Sequence, residues 1–289
     1  MSSESMKPSP RILLCSDLDR TLLPNGQAPE SVRARPLLRR LAQRIEVMLA
    51  YVSGRHRALI QEAIEQYELP EPAMVVGDVG TTIYEITGGQ WVSWDDWDRE
   101  IAVDWKGTSR EDLAALLSDI QSLSPQEPEK QNRYKLSYYV DLTVDAQELV
   151  QTVETRLAQA GLDVSVIWSV DDQNDVGLLD VLPRRATKLH AVRFLSRKTS
   201  VSPHRVVYAG DSGNDMAVLI SDIRSVLVRN ASDSVRREAR EKSRQNGTRE
   251  RLYLCQGGFF GMNGNYAAGV LEGLAHFFPQ TAKWLQASD

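Results

Sequence analysis

The stretch RILLCSDLDRTLL at residues 11–23 decides the fold of this chain. Its apolar residues 12–15 lead into Asp17 and Asp19, and the turn residues Pro24-Asn25-Gly26 follow. A short apolar run bounded by turn residues predicts a buried strand of a parallel sheet. Ligands bind beyond the carboxyl ends of such strands, so we expect chemistry at the two aspartates. The alternative is a turn in which the aspartates only cap the backbone.

The spacing of the two aspartates has a chemical consequence. Residues two apart in an extended chain point the same way, so the carboxylates of Asp17 and Asp19 should lie close together. Two close carboxylates repel each other unless a cation lies between them or one of them keeps a proton. The stretch therefore predicts either a metal site or an acid and base pair.

Composition places the chain among ordinary soluble globular proteins. It has 289 residues, of which 42% are hydrophobic and 25% are charged, enough for one large domain or two small ones. The net charge of −5 and the pI near 5.5 give no global field that would favour nucleic acid. An anionic substrate would have to be held by a local group of cations.

Targeting and redox signals are few. Residues 1–10 are polar, lack an apolar signal region and are predicted to be a disordered tail. No run of about 18 apolar residues predicts a membrane span, so we expect no membrane partner. Cys15 and Cys255 lie far apart in sequence, and Cys15 falls in a predicted core strand. We therefore expect no disulfide framework and a cytoplasmic location.

Strands and helices alternate through the first third of the chain. A second predicted strand at residues 46–52 ends in Ser53-Gly54-Arg55, a helix follows at residues 58–67, and a third strand covers residues 73–77. This order is typical of a doubly wound, Rossmann-like α/β sheet. A hydroxyl and backbone N–H groups at a helix start make an anion site. Alternatively, Ser53-Gly54-Arg55 is only an N-cap and a turn.

The pattern changes in the middle of the chain and then resumes. Residues 88–182 contain a Trp-rich stretch, two predicted helices and several strands, which predicts a smaller α+β cap domain inserted into the first domain. The core domain is then residues 11–87 and 183–289. In its second part, Lys188 lies near the start of a helix, and the strand at residues 205–209 ends in Gly-Asp-Ser-Gly-Asn-Asp at residues 210–215.

Side chains at the ends of these strands can form one site if the strands are neighbours in the sheet. The candidates are Asp17, Asp19, Ser53, Arg55, Lys188, Asp211, Asn214 and Asp215. Oxygen ligands of this kind suit Mg²⁺. One carboxylate can act as a nucleophile and form an aspartyl phosphate, while a second can move protons. Lysine, hydroxyl and backbone N–H groups can stabilise the charge on phosphoryl oxygens. These residues supply every role that phosphomonoester hydrolysis needs.

The same residues resemble the haloacid dehalogenase superfamily. Asp-Leu-Asp-Arg-Thr (17–21), Ser-Gly-Arg (53–55), Lys188 and Gly-Asp-Ser-Gly-Asn-Asp (210–215) match its four motifs in order. The insertion after the third strand is similar to the C2 cap of the type IIB members. Segments at residues 76–84, 135–141, 180–185, 209–215 and 228–231 look like sucrose-phosphate phosphatases.

This resemblance implies a role for each candidate. Catalysis would belong to Asp17 as nucleophile and Asp19 as general acid and base. The metal ligands would be Asp17, Asp19 through its backbone carbonyl, and Asp211, with Asp215 close behind. The phosphate-binding residues would be Ser53, Gly54, Lys188 and Asn214. The substrate-binding candidates are Arg55, Lys135, Asp180 and His190, because the cap of the family holds the sugar.

Some of these assignments leave alternatives open. Lys135 is also explained as an exposed strand residue, Asp180 as a strand-end cap, and His190 as a partly buried helix histidine. Lys188 is followed by Leu189-His190, where the family pattern leads us to expect a glycine and a small polar residue. This departure bears on the choice of sugar and leaves the phosphoryl chemistry as predicted.

The sequence therefore predicts a Mg²⁺-dependent phosphomonoesterase that hydrolyses sucrose 6-phosphate through an aspartyl phosphate. Mannosylfructose phosphate and mannosyl-3-phosphoglycerate are alternative substrates, and a phosphomutase is an alternative activity. A third alternative is a non-catalytic sugar-phosphate-binding partner of a glycosyltransferase synthase. Such a synthase is also a candidate partner of the enzyme, whereas nucleic acid and membrane are not expected as partners.

Overall fold

The computed structural model describes residues 11–171 and 174–286. The predicted tail at residues 1–10 lies outside the described residues. Within them, twelve strands are numbered in chain order: β1 (Ile12–Ser16), β2 (Val47–Val52), β3 (Met74–Gly77), β4 (Thr82–Thr87), β5 (Gln90–Ser93), β6 (Ser124–Pro125), β7 (Leu136–Val140), β8 (Val164–Asp171), β9 (Val176–Pro183), β10 (Val206–Gly210), β11 (Arg224–Leu227) and β12 (Leu252–Leu254).

Ten α-helices join these strands in the described part of the chain. They are α1 (Ala34–Ala42), α2 (Arg57–Gln66), α3 (Asp95–Ala102), α4 (Arg110–Leu116), α5 (Ala146–Gln159), α6 (Lys188–Lys198), α7 (Met216–Leu219), α8 (Asp233–Gln245), α9 (Ala267–Phe277) and α10 (Gln280–Gln286). None of the described helices is both long and apolar enough to cross a membrane.

The larger sheet has eight strands in the order β12-β11-β10-β1-β2-β3-β4-β5. Its strands run parallel from β12 to β3, and the last two pairs are antiparallel. Strand β1 is central and buried along its whole length, because helices cover both faces of the sheet. Helices α1 and α9 pack on one face, while α3 and α6 pack on the other. The predicted doubly wound α/β core is confirmed.

The smaller sheet has four antiparallel strands in the order β6-β7-β9-β8. Helices α4 and α5 contribute buried Leu113, Leu149 and Leu157 to the apolar cluster on one face of this sheet. The same apolar cluster continues through Trp105 and Trp97 into the larger sheet. The inserted α+β unit is therefore packed against the core domain by a continuous apolar layer.

The predicted start of the inserted unit at residue 88 needs correction. Residue 88 falls in the turn of a hairpin, since Gln90–Ser93 pairs with Thr82–Thr87 and extends the larger sheet. Helix α3 follows and packs on α6, with the rings of Trp97 and Phe194 5.0 Å apart. We propose that the inserted unit begins after α3. The boundary predicted from composition falls too early, because the Trp-rich segment that marks the change in composition still packs on the core sheet.

Other predicted elements differ at their ends. The sequence pattern predicts one helix over residues 109–123 and one closing helix within residues 269–285. In the structure the first ends at Leu116, and the closing segment is divided into α9 and α10. Pro279 lies between these two helices, and proline lacks the N–H that a helix interior needs. The sequence predicts charged helix and loop from Asn230 to Arg251 and no strand after it, so the three-residue strand β12 was missed.

Replacement of Trp97 by alanine should destabilise the protein by about 3–5 kcal/mol, since it empties a fully buried site. The indole also donates a hydrogen bond to the Gly80 carbonyl at 3.2 Å, and this bond would be lost. Urea unfolding followed by circular dichroism measures the loss. Trp91→Ala is the control, because Trp91 is only partly buried and should cost less. Equal losses in the two variants would contradict the packing described for Trp97.

Candidate active site

The site lies at the carboxyl ends of three neighbouring parallel strands. Strand β1 pairs with β10 on one side and with β2 on the other. Asp17 follows β1, Ser53 follows β2 and Asp211 follows β10, so the topology brings them to one edge. A cavity of about 520 Å³ opens there. It is lined by Asp17, Asp19, Arg20, Asn25, Gly54, Arg55, Asp211, Ser212 and Asn214.

Three buried carboxylates are clustered at this site, and two of them, Asp17 and Asp211, line the cavity. Asp17, Asp211 and Asp215 each place one carboxylate oxygen within 4.8 Å of the others. Asp215 is held by the backbone N–H groups of Asp211 at 3.0 Å and Ser212 at 3.2 Å, and by the hydroxyl of Tyr208. We refer to these three carboxylates as the acidic triad.

Gly210 is required by the close approach of the acidic triad to the backbone. A Cβ atom at this position would lie 2.5 Å from the carboxylate of Asp215, well inside contact distance. The turn after β10 therefore needs glycine before Asp211, which gives a physical reason for the Gly-Asp pair in the sequence.

Lys188 is the positively charged residue that pairs with the acidic triad. Its ammonium lies 3.1 Å from Oδ1 of Asp17 and 2.7 Å from Oδ1 of Asp215, and it also donates to Oδ1 of Asn214 at 3.3 Å. Lys188 is the first residue of α6, where the side chain of Thr187 caps the helix by accepting from the N–H of His190. Burial favours the neutral amine, but Asp17 and Asp215 outweigh it and raise the pKa of Lys188.

One lysine does not balance three carboxylates. Burial raises the pKa of Asp17 to about 8, and the charges of Asp215 and Asp211 add to this while Lys188 opposes it. Burial and the charge of Asp215 likewise raise the pKa of Asp211 to about 6. A divalent cation would remove this excess of negative charge. Clustered carboxylate oxygens are ligands that hard cations prefer, so the acidic triad fits a metal ion.

Asp19 stands apart from the acidic triad and faces Arg55. The guanidinium of Arg55 binds both carboxylate oxygens, at 2.9 Å from Nε and 2.7 Å from Nη2, and Asn25 donates to Oδ1 at 2.7 Å. Partial burial favours the neutral acid, but the hydrogen bonds from Arg55 outweigh it and lower the pKa of Asp19. Asp19 is therefore ionised in this arrangement.

The predicted phosphate-binding residues surround the acidic triad. Gly54 and Asn214 line the cavity. Ser53 is buried at the end of β2, where its N–H donates to the Val76 carbonyl at 2.9 Å and its hydroxyl accepts from the N–H of Arg55 at 3.2 Å. The predicted group thus comes together, with Lys188 as its charged member.

The predicted sugar-binding residues of the cap lie at its antiparallel sheet, Asp180 within β9 and Lys135 directly before β7. Lys135 and Asp180 are mostly buried, their charged atoms are 3.8 Å apart, and the hydroxyl of Ser137 donates to Asp180. Asp78 of the core domain lies within electrostatic range of both. Neither residue lines the cavity described above. The pair faces the core domain across the junction with the cap.

His190 is not brought to the cavity. Its Nε2 atom lies 2.9 Å from Glu100, and its ring lies 5.5 Å from that of Trp97. This placement favours the partly buried helix histidine over the substrate contact.

Three contributors to the site were given no role in the sequence analysis, although Thr21 lies within the motif at residues 17–21. Asn25 was read only as a turn residue, yet it binds Asp19. Tyr208 was read as a core strand residue, yet it binds Asp215. Thr21 donates to Asp211 at 3.3 Å across 190 positions of sequence. The Thr21 contact depends on strand order, since β1 and β10 are neighbours in the sheet, whereas the Tyr208 contact depends on how the turn after β10 folds back.

Comparison with known proteins identifies the family of the chain. A family model described as sucrose-6F-phosphate phosphohydrolase matches residues 10–278. The chain belongs to this family. Because the family lies in the haloacid dehalogenase superfamily, the resemblance found in the sequence is confirmed. Together with the acidic triad, membership makes the chain a phosphoric monoester hydrolase.

Individual relatives agree with this assignment. The chain is 55% identical to a putative HAD-like hydrolase of Nitrosococcus oceani, over 96% of this chain and 74% of the relative. It is 27% identical to the mannosylfructose-phosphate phosphatase of Agrobacterium fabrum, over 93% and 97% of the two chains. Against sucrose-phosphatase 2 of Nicotiana tabacum the identity is 29% over 80% of this chain, which spans only 53% of that longer protein.

A solved structure shares the fold along nearly the whole chain. The sucrose-phosphatase of Synechocystis sp. PCC6803, described in complex with sucrose and phosphate, matches with a TM-score of 0.69 and 27% identity. The match covers 93% of this chain and 98% of that chain. The described core and cap are therefore those of a sucrose-phosphatase fold.

Asp211→Asn should stabilise the metal-free protein by on the order of 3 kcal/mol at pH 7.5. The pKa of Asp211 is raised from 3.8 to about 6, so the folded state binds the proton more tightly than the unfolded state. The stability that this group contributes therefore falls as pH rises from about 4 to about 6, and asparagine removes the penalty. The measurement is the melting temperature in EDTA between pH 4 and pH 8.

The same variant should lose stabilisation by added divalent cations. Asp222→Asn is the matched control, because the side chain of Asp222 is 71% exposed and pairs only with Arg193 among its described salt bridges. The control should keep the stabilisation seen in the parent protein. If cations raise the melting temperature of Asp211→Asn as much as that of the parent, Asp211 is not a metal ligand.

Proposed function

We propose that this chain hydrolyses sucrose 6-phosphate to sucrose and inorganic phosphate, using Mg²⁺ and an aspartyl-phosphate intermediate on Asp17. The observation that supports this most strongly is the arrangement of the cavity. Asp17, Asp19 and Asp211 line it, and the buried Asp215 and Lys188 lie directly behind Asp17. This set matches the needs of phosphomonoester hydrolysis, in which one acid attacks and another moves protons.

The metal would be held by Asp17, Asp211 and Asp215, with the backbone carbonyl of Asp19 as a further ligand. Magnesium is our choice because it accepts oxygen ligands and binds through few carboxylates. When bound, Mg²⁺ supplies positive charge that keeps Asp17 ionised and neutralises the phosphoryl oxygens.

Asp17 is the proposed nucleophile. Its carboxylate oxygen forms a bond to phosphorus while the bond from phosphorus to the sugar oxygen breaks, and the sugar leaves with a proton from Asp19. The ammonium of Lys188 contacts Asp17, so its positive charge can stabilise the negative charge of the phosphoryl group during transfer to Asp17. A water molecule then gives a proton to Asp19 and attacks phosphorus, which releases phosphate and restores the Asp17 carboxylate.

The ion pair between Asp19 and Arg55 describes the site before substrate binds, and it must break before Asp19 can act as an acid. An Asp19 carboxylate held by a guanidinium has no proton to donate. The phosphoryl group of a substrate is a second anion that competes for Arg55, which lines the cavity. We infer that Arg55 moves to the phosphoryl oxygens and leaves Asp19 free to take up a proton. Gly54, Asn214 and the Ser53 hydroxyl would hold the remaining phosphoryl oxygens.

The sugar would be held between the core domain and the cap. Lys135 and Asp180 are our candidates, because a lysine and a carboxylate together can bind several sugar hydroxyl groups. They face Asp78, which lies next to the Ser53 to Arg55 segment through the bond from its N–H to the Arg55 carbonyl at 2.9 Å. Closure of the cap over the cavity would exclude water during phosphoryl transfer.

Two observations support sucrose as the sugar: the description of the matching family and the sucrose in the Synechocystis complex. Mannosylfructose phosphate is the second candidate, because the match to the mannosylfructose-phosphate phosphatase of Agrobacterium fabrum covers nearly the whole length of both chains. We place the reaction in the cytoplasm, since Cys15 and Cys255 are both free thiols. A synthase partner and the absence of nucleic acid and membrane partners stay predictions.

Phosphate release from a panel of sugar phosphates tests the substrate. We expect sucrose 6-phosphate to give the highest kcat/KM, with mannosylfructose phosphate second and mannosyl-3-phosphoglycerate and simple hexose phosphates well below. EDTA should abolish turnover, and added Mg²⁺ should restore it. A higher kcat/KM for mannosylfructose phosphate would replace sucrose with that sugar in the proposal.

Asp17→Asn should lower kcat by several powers of ten, because the amide is a poor nucleophile and cannot form the phosphoryl ester. The variant should fold, since asparagine has the same shape and relieves the crowding of carboxylates. Circular dichroism and the rate of phosphate release provide the two measurements. Retained turnover in a correctly folded variant would exclude Asp17 as the nucleophile.

A further inference from the structure

Arg20 follows the catalytic Asp19 and has an unusual backbone. Its φ angle is 55°, in the left-handed region that non-glycine residues seldom adopt. Two asparagine side chains bind its main chain. The N–H of Arg20 donates to Oδ1 of Asn25 at 2.8 Å, and its carbonyl accepts from Nδ2 of Asn230 at 2.6 Å. Both polar groups of a strained residue are therefore held by side chains, one from the same loop and one 210 positions away in sequence.

Asn25 connects the main chain of Arg20 to the carboxylate of Asp19, the proposed general acid and base. Because its Oδ1 atom accepts from the N–H of Arg20, its amide NH₂ must point the other way. That group donates to Oδ1 of Asp19 at 2.7 Å. The side chain of Asn25 thus bridges the main chain of Arg20 and the carboxylate of Asp19, and the position of one depends on that of the other.

Asn230 is fixed at its other end by the last part of the core domain. Its Oδ1 atom accepts from the N–H of Tyr266 at 2.8 Å. Tyr266 also has a positive φ angle, 50°, and its side chain is fully buried. Its ring lies against the same loop, since a Cβ atom on Gly26 would be 2.9 Å from the Tyr266 hydroxyl. The position of Asn230 is therefore fixed by its hydrogen bond to Tyr266, a residue that is itself held by packing.

We propose that Asn230 is a positioning residue for the reaction. Through the main chain of Arg20 and the side chain of Asn25, it holds the Asp19 carboxylate where proton transfer to the leaving group requires it. Asn230 lines no part of the described cavity, so it acts only through this relay of hydrogen bonds. This inference rests on the proposed role of Asp19, and it is independent of which sugar is the substrate.

The relay predicts a selective defect in Asn230→Ala. A misplaced Asp19 harms only those reactions whose leaving group needs a proton. Single-turnover release of phenol from phenyl phosphate, a poor leaving group, should slow by about 100-fold, as expected for lost general acid catalysis. Release of p-nitrophenolate from p-nitrophenyl phosphate, a good leaving group, should change by less than about 3-fold on the same grounds. KM for both substrates should stay near that of the parent protein.

Two further variants show whether the loss runs through the relay. Asn25→Ala should give the same selective defect, and Asn25→Ala combined with Asn230→Ala should be hardly slower than Asn25→Ala alone, because both break one path. Asn246→Ala is the matched control, since Asn246 makes a similar bond from Nδ2 to the carbonyl of Ile220 far from the site, at 3.2 Å. The control should release both leaving groups at the parent rate.

Three results would overturn the proposal. They are an equal slowing of both leaving groups in Asn230→Ala, a multiplicative effect in the double variant, and parent rates in all variants. Melting temperatures of each variant, measured beside the rates, identify a loss due to unfolding, which slows both leaving groups together. If the parent protein fails on every sugar phosphate but releases phenol and nitrophenolate, the proposed substrate fails and the relay is still tested.

Discussion

The burial of three carboxylates around a single lysine is the constraint on which the site depends. Asp17, Asp211 and Asp215 share a space in which their oxygens lie within 4.8 Å of one another. Such crowding is unfavourable without compensation, and Lys188 supplies only part of it. The backbone N–H groups and the Tyr208 hydroxyl around Asp215 supply more. The remaining negative charge is what prepares the site for a divalent cation and a phosphoryl group.

The surrounding fold follows from this constraint. Carboxylates can be held this close only where strand ends meet, and β1, β10 and β2 are neighbours in the sheet. Gly210 has no side chain because the Asp215 carboxylate occupies that space. Asp19 lies outside the acidic triad, where Arg55 and Asn25 hold it separately. The two aspartates of one short stretch thus have opposite environments, one raising and one lowering the pKa. In the proposed reaction, this difference would let Asp17 attack phosphorus while Asp19 moves protons.

The cap places a second group of polar residues next to the core domain. Its sheet places Lys135 and Asp180 opposite Asp78 of the core domain, and Asn132 of the cap donates to Thr81 of the core at 2.8 Å. The junction therefore holds polar groups of both domains beside an apolar layer that includes Trp97 and Trp105. In the proposed function, the phosphoryl chemistry takes place in the core domain, and Lys135 and Asp180, the candidates for sugar binding, lie where the two domains meet.

The sequence by itself determined the doubly wound core, the inserted cap and the motif residues of the site. Apolar runs that end in Asp17, Ser53 or Asp211 can be recognised locally, because a strand buried on both faces and its polar end leave a continuous pattern. Only the tertiary structure decided that Gln90–Ser93 belongs to the core sheet, that His190 pairs with Glu100, and that Asn25 and Asn230 grip Arg20. Asn25 lies only five residues from Arg20, and the β4–β5 hairpin is also local, but its place in the core sheet depends on the pairing of β4 with β3. The contacts His190–Glu100 and Asn230–Arg20 join residues 90 and 210 positions apart, whose proximity depends on strand order and helix packing, and no local pattern of residues encodes that proximity.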